Sequence, residues 1–326
     1  MSDTHFRPPG PLGFGGAPLG NMFDTVDEDT AEGALEAAWG TGVRYFDTAP
    51  HYGQGLSEHR FGRVLRRRPR DSFVLSTKVG RLLKADERAP ENPPFKEGLP
   101  FRVEYDYSFD GVRRSIEDSL NRLGLSRIDI AFIHDIAEDA HGPAWEEQFA
   151  VAMNGAAKAL IRLREDGTIK GWGLGVNLTE PCRRALEQSD PDVFLLAGRY
   201  SLLDFSGLRE LFPACEARGV HVIVGGPYNS GLLAGGRNYD YQEAPPDKVA
   251  ARDRIAAIAA EHGVDIRAAA LQFCAAHPVV AAVIPGAKNA ERVRANADLM
   301  SQPIPAAFWS ALRQAGLVPD DAPTPA

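Results

Sequence analysis

The feature that most constrains this chain is an alternation of eight short β-branched or apolar runs with longer stretches of helical periodicity. The runs Leu12–Gly15, Val43–Asp47, Phe73–Lys78, Ile128–Ile133, Ile169–Val176, Val193–Ala197, Val220–Val224 and Val280–Ile284 read as strands. Helical patterns follow each of them at 27–41, 57–67, 109–124, 145–166, 179–188, 205–217, 247–276 with a break near Gly263, and 289–299. Strands that come singly, never as hairpins, and are each followed by a helix imply parallel pairing with crossover connections. Eight such units without an intervening linker favour an α/β chain closed into a (β/α)8 TIM barrel. We read residues 1–326 as a single domain of that kind.

The competing architecture is an open doubly wound sheet, whose dinucleotide fingerprint G-x-G-x-x-G follows the first strand. Gly13-Phe14-Gly15-Gly16-Ala17-Pro18 lacks the third glycine. The glycines of Gly171-Trp172-Gly173-Leu174-Gly175 lie within a strand rather than opening a helix, which marks a close backbone approach or bulge. Two segments break the rhythm of short connections: Gly80 to Tyr107, rich in proline and aromatic residues, and Pro227 to Pro246. Both follow strands, so in a barrel they lie on the C-terminal face, and the first is expected to act as a substrate lid. The tail 302–326, with a short helix near Ala306 to Ala315, reads as a packing segment that ends in disorder.

The formal charge of −8 disfavours nucleic acid and anionic membrane surfaces as partners. Its single basic cluster, Arg63, Arg66, Arg67, Arg68 and Arg70, reads as a solvated helix end. Cys182, Cys215 and Cys274 are far apart, which argues against a metal site and a disulfide framework and suits a reducing compartment. With no signal-like start and no long apolar run, a cytoplasmic location is expected, as a monomer or weak homo-oligomer.

Active sites of barrels form at the C-terminal ends of strands. Asp47 ends the second strand, Tyr52 follows five residues later, Lys78 ends the third and His134 follows the fourth. These positions are adjacent around the rim and chemically complementary. An ammonium lowers the pKa of a neighbouring phenol, a carboxylate keeps that ammonium charged, and an imidazole positions a substrate oxygen. Such a site moves protons without a nucleophile, so the electrons must come from or go to a cofactor. An alternative makes Lys78 a Schiff-base lysine in an aldolase-like barrel. A third reading is a non-catalytic barrel that senses the redox state of a bound cofactor.

The segment Gly42-Val43-Arg44-Tyr45-Phe46-Asp47-Thr48-Ala49-Pro50-His51-Tyr52-Gly53 resembles a signature of the aldo-keto reductase superfamily. Ser57-Glu58, Ser76-Thr77-Lys78, Ser119-Leu120-Asn121-Arg122-Leu123-Gly124 and Ile128-Asp129-Ile130 extend the likeness along the chain. The resemblance implies a tetrad of Asp47, Tyr52, Lys78 and His134, with Tyr52 as general acid/base and a nicotinamide cofactor across the barrel mouth. It also implies that Asn177 holds the carboxamide. Gly225, Pro227, Pro285, Gly286, Lys288, Arg292 and Asn296 are the further cofactor candidates, and Tyr200 or Tyr228 would stack on the nicotinamide. Gly286 and Ala295 stand where many members carry Lys and Glu, so NAD is slightly favoured over NADP.

Leu196-Ala197-Gly198-Arg199-Tyr200-Ser201, Gly225-Gly226-Pro227-Tyr228-Asn229-Ser230 and Tyr105-Asp106-Tyr107-Ser108 are similar to a subgroup of bacterial sugar 1-dehydrogenases of the D-threo-aldose or L-fucose type and to pyridoxal 4-dehydrogenases. Both activities oxidise a cyclic hemiacetal to a lactone. A small sugar or pyridoxal-like substrate is therefore expected, with His51, Trp145, Arg199 and Tyr228 as candidate contacts.

Overall fold

The computed structural model describes residues 5–325. Eight parallel strands, β1 (Phe14–Gly15), β2 (Tyr45–Asp47), β3 (Val74–Val79), β4 (Ile130–His134), β5 (Gly171–Val176), β6 (Val193–Ala197), β7 (His221–Gly225) and β8 (Val280–Ile284), hydrogen-bond in chain order. Parallel bridges from Leu12 to Val283 and from Gly15 to Gly286 bring the last strand back to the first, so the sheet forms a (β/α)8 barrel as expected. Inside it pack Tyr45, Val74, Ile130, Phe132, Val193, Leu195, Ile223, Ala282 and Ile284, with Phe6 against them. A larger apolar layer lies between the outward faces of the strands and the surrounding helices. Burial on both faces is why the strands read as near-continuous apolar runs.

The helices differ from the sequence reading mainly in being interrupted. The pattern over 145–166 divides at Gly155 into Trp145–Asn154 and Ala156–Glu165, because Gly155 packs against the Tyr107 carbonyl and the Ser108 backbone. That over 205–217 divides into Ser206–Glu210 and Phe212–Arg218, where Pro213 cannot continue the first helix's hydrogen bonds. Strands do not always come singly. Arg81–Ala85 pairs antiparallel with Phe101–Tyr105, and Asn238–Tyr239 with Gln242–Glu243, so both long segments contain hairpins. Their polar, half-exposed strands carry too little apolar alternation to be visible in sequence.

Two other expectations change. In the arginine cluster, exposed Arg63 and Arg67 meet Glu28 and Glu32 of helix Glu28–Gly40, half-buried Arg68 meets Glu36, and half-buried Arg70 reaches buried Asp129 at 2.5 Å. The tail packs rather than fraying, with Val318 and Ala322 buried and Arg313 donating to the Ala322 carbonyl. No helix among the described residues is long and apolar enough to cross a membrane.

The glycines of β5 do mark close approaches. On the inward face, a Cβ at Gly171 would lie 3.1 Å from Phe6, one at Gly173 1.7 Å from the Val193 carbonyl oxygen, and one at Gly175 3.3 Å from Lys78 Cε. Gly173→Ala should therefore destabilise the fold by about 3 kcal/mol in urea unfolding, since backbone rather than a movable side chain blocks the methyl. Gly33→Ala, on a helix with nothing within 4 Å of the new methyl, should stabilise by about 0.5–1 kcal/mol. Equal effects at the two sites would refute this packing.

Candidate active site

The two-residue period of a strand gives the site its first three groups. Along β2, β3 and β4 the residues Tyr45, Val74, Ile130 and Phe132 fill the barrel interior, and the next inward positions at the C-terminal ends are Asp47, Lys78 and His134. All three are at least nineteen-twentieths buried. Lys78 Nζ donates to Asp47 Oδ2 at 2.8 Å and to the Thr48 carbonyl at 3.0 Å. The other Asp47 oxygen accepts from Ser76 Oγ at 2.7 Å, and Ser76 Oγ lies 2.9 Å from the Tyr45 hydroxyl. Gly175, opposite His134 in the sheet, leaves the space that the lysine stem crosses.

Tyr52 comes from the loop after β2, fixed at both ends. Thr48 and Ser57 share a 2.9 Å hydrogen bond, Ser57 Oγ donates to the Gly16 carbonyl, and the Ser57 amide donates to the Tyr52 carbonyl. The Tyr52 ring lies 4.6 Å from Lys78 Nζ and 6.0 Å from the His134 ring. Its pKa departs from the sequence expectation. Burial pushes the phenol well above its ordinary range, and the carboxylates of Asp47 and Asp135 push it further, with Arg81 opposing. Lys78 directs ammonium hydrogens at Asp47 and Thr48 and lies close to the face of the ring. Burial likewise raises the Asp47 carboxyl, against the lowering by Lys78 and Ser76.

His134 is held neutral. Burial, and then the charges of Arg81 and Lys78, push its pKa well below the ordinary value. Its carbonyl accepts from the Tyr107 hydroxyl at 2.9 Å. Tyr52, Lys78 and His134 line a cavity of about 170 Å3 together with His51, Phe95, Asn177 and Tyr241. A second hollow of about 120 Å3, lined by Asp47 and by Gly15, Gly16, Gly198, Gly225, Gly226 and Gly286, continues along the mouth toward β8. Tyr52 and Tyr241 border both spaces.

The structure brings some of the sequence-derived residues to these spaces and removes others. His51 and Asn177 line the cavity, and Gly225 and Gly286 line the groove. The Asn177 amide donates to Asp139 and accepts from the Tyr241 hydroxyl. Pro227 and Pro285 are buried. Lys288 pairs with Asp24 at 2.7 Å, Arg292 is exposed on the first turn of helix Ala290–Ser301, and Asn296 accepts from the Tyr228 hydroxyl at 2.8 Å.

Tyr200 is not at the mouth. It is fully buried among Phe212, Phe273 and His277, because the chain turns outward after β6 and drives this ring into the helix layer. Tyr228 is tied into the side of the barrel by its bond to Asn296. Trp145 packs on Phe149 under the Arg184 guanidinium and does not line the cavity. Arg199 turns from it too, donating to the Asn177 carbonyl, Asp204 and Asp240. Sequence reasoning missed Asp135, Phe95 and Tyr241. The last two lie inside the long segments already assigned to this face.

The groove suits an extended dinucleotide. Six glycines strip side chains from its lining, and beyond Gly286 lies the N-terminus of helix Ala290–Ser301, capped at Asn289, where N–H groups together with Lys288 and Arg292 could meet a phosphate. Where this groove meets the cavity, a proton donor, a neutral imidazole and a buried ion pair converge. That is an arrangement for moving a proton on and off an oxygen.

His51 offers a test of this electrostatic picture. Burial and the charges of Arg81 and Lys78 push its pKa down to about 2. Unfolded, the same ring binds a proton below its ordinary value of 6.5, so the unfolded state gains protons as pH falls and stability is lost below that value. His51→Asn should reduce the dependence of unfolding free energy on pH between 6 and 5 by about 1.4 kcal/mol per pH unit, measured in urea. Identical slopes for the two proteins would mean that His51 ionises in the fold.

Comparison with known proteins agrees with this geometry. The model of the aldo/keto reductase family matches residues 11–316. A pyridoxal 4-dehydrogenase of Microbacterium luteolum is 42% identical over 94% of each chain, and a D-threo-aldose 1-dehydrogenase of a Pseudomonas species 38% identical over 94% of each. The holo form of an aldo-keto reductase from Bacillus halodurans superimposes with a TM-score of 0.73 over 95% of each chain at 26% identity. The chain belongs to the aldo/keto reductase family and is an NAD(P)-dependent oxidoreductase acting on CH–OH groups.

Proposed function

We propose that the protein oxidises the lactol form of an aldose, of the L-fucose or D-threo-aldose type, at C1 to the lactone. The observation that carries this reading is the convergence of Tyr52, His134 and the Lys78–Asp47 pair where the cavity opens onto the groove. Asn177, Gly225, Gly286, Lys288 and Arg292 would hold a nicotinamide dinucleotide, which when bound supplies the acceptor for the hydride leaving the lactol carbon. His134, neutral, donates to the lactol oxygen and fixes it. Tyr52 takes the hydroxyl proton as the C=O bond forms, and Lys78 stabilises the phenolate this requires while Asp47 keeps the ammonium charged and in place. In the reverse direction the same phenol donates. The activities named for the Pseudomonas relative and for an L-galactose dehydrogenase of Arabidopsis thaliana, 30% identical over 89% of this chain, support a sugar.

A second reading, oxidation of the pyridoxal hemiacetal to 4-pyridoxolactone, is favoured by the Microbacterium relative and by the aromatic lining of His51, Tyr52, Phe95 and Tyr241. Reduced-nicotinamide absorbance with NAD and with NADP, each against L-fucose, D-arabinose, L-galactose and pyridoxal, separates the two. Turnover of pyridoxal alone would overturn the sugar reading. Because burial holds the Tyr52 phenol high, oxidation should accelerate as pH rises above neutrality, with a slope approaching one decade per unit. Tyr52→Phe should lower kcat by about 10³-fold, abolish that slope and leave cofactor affinity unchanged, because the hydroxyl acts in the transition state. An equal loss of cofactor binding would contradict this role.

A further inference from the structure

Beside the tetrad stands an ionised pair with no part in the proton transfer. Asp135, the residue after His134, lines the cavity, and its Oδ2 accepts from Arg81 at 2.6 Å. The side chains of Arg81 and Asp135 are 7% and 17% exposed, so both charges have been taken largely out of water. The same Oδ2 lies 3.4 Å from His134 Nε2. Asp135 has φ of +46°, a conformation that Asn, Asp and Gly enter more readily than other residues, and its amide donates to the Gly175 carbonyl. The backbone thus holds a carboxylate against the nitrogen that faces the substrate. His134 Nδ1 is buried without a partner. A carboxylate beside Nε2 favours the tautomer with its hydrogen there, which leaves an acceptor rather than a donor buried at Nδ1.

We propose that Asp135 is a specificity-determining residue, accepting a hydrogen bond from the hydroxyl on the carbon next to the reacting carbinol. The proposal rests on the lactol reading and deepens it. An oxygen bonded to His134 Nε2 lies about 3 Å from it, and oxygens on neighbouring ring carbons lie about one hydrogen-bond length apart. The second oxygen therefore falls within reach of the carboxylate. Arg81 balances the charge and fixes its direction, so the acceptor is oriented before the substrate arrives. The ligand class selected is an uncharged lactol with a vicinal hydroxyl donor. Pyridoxal, which carries an ionised phenolate beside its reacting carbon at neutral pH, would meet like charge instead.

The test compares kcat/KM for L-galactose and its 2-deoxy analogue, with pyridoxal as a third substrate, in the wild type and in Asp135→Asn. Asn keeps the shape and the backbone conformation, and an unchanged cofactor Kd verifies the fold. The wild type should prefer L-galactose by about 10- to 100-fold, the range of one hydrogen bond to a charged group. Asp135→Asn should bring the ratio close to one by losing activity on L-galactose alone. No preference in the wild type overturns the proposal without any variant, as does a variant that lowers both sugars equally, which is what a purely structural ion pair would do. Turnover of sugars without this discrimination removes the proposal alone. Turnover of pyridoxal and neither sugar removes the lactol-sugar reading and the proposal together.

Discussion

Much of this molecule is arranged around one buried ion pair, Lys78 with Asp47. Taking an ammonium and a carboxylate out of water costs several kcal/mol each, and their attraction offsets this only when the remaining donors and acceptors are also satisfied. Here they are: Thr48 supplies a carbonyl to the ammonium, and Ser76 a hydroxyl to the second carboxylate oxygen. The pair constrains β5 as well, since the lysine stem passes Gly175 at a distance where a methyl would already press on it. At this one position of a glycine-rich strand, poor in β propensity, the absence of a side chain leaves the volume that the charged side chain opposite needs.

The rim is organised differently from the barrel beneath it. Arg199 joins three separate pieces of chain, donating to the Asn177 carbonyl at the end of β5, to Asp204 after β6 and to Asp240 in the hairpin of the loop after β7. Tyr241, next to Asp240, reaches the Asn177 side chain and borders both the cavity and the groove. One guanidinium thereby sets the position of a ring that belongs to both spaces. Arg199 is consequential for the site without touching it, which is why a reading that looked for substrate contacts misplaced it.

The barrel was legible because its signal is periodic: apolar runs buried on both faces, separated by helical stretches, admit few other folds. Asp47, Lys78 and His134 were legible for the same reason, since the period that places Tyr45, Val74 and Phe132 inside carries those three to the inner rim. Tyr200 was misread because sequence distance from a strand end does not say which way the chain turns once the strand is over. The hairpins at 81–105 and 238–243 were invisible because half-exposed strands have no strong alternation. Asp135 escaped notice although it adjoins His134, because its inward aim comes from a left-handed backbone angle rather than from strand parity.

Electrostatics ties these observations together. The cavity contains two compensated pairs, Lys78 with Asp47 and Arg81 with Asp135, and the same cations that complete them help keep His51 and His134 unprotonated. Burial and the two carboxylates keep Tyr52 a phenol at neutral pH. The net charge of these four groups at the reacting position is therefore close to zero. Recognition must come from directed hydrogen bonds, donated by the phenol and imidazole and accepted by a carboxylate. A neutral molecule bearing several hydroxyls makes use of such an arrangement, whereas an anionic one would have to displace Asp135 from Arg81 to bind. The lactol reading and the placement of Asp135 thus rest on the same balance of charge that holds Lys78 within the barrel.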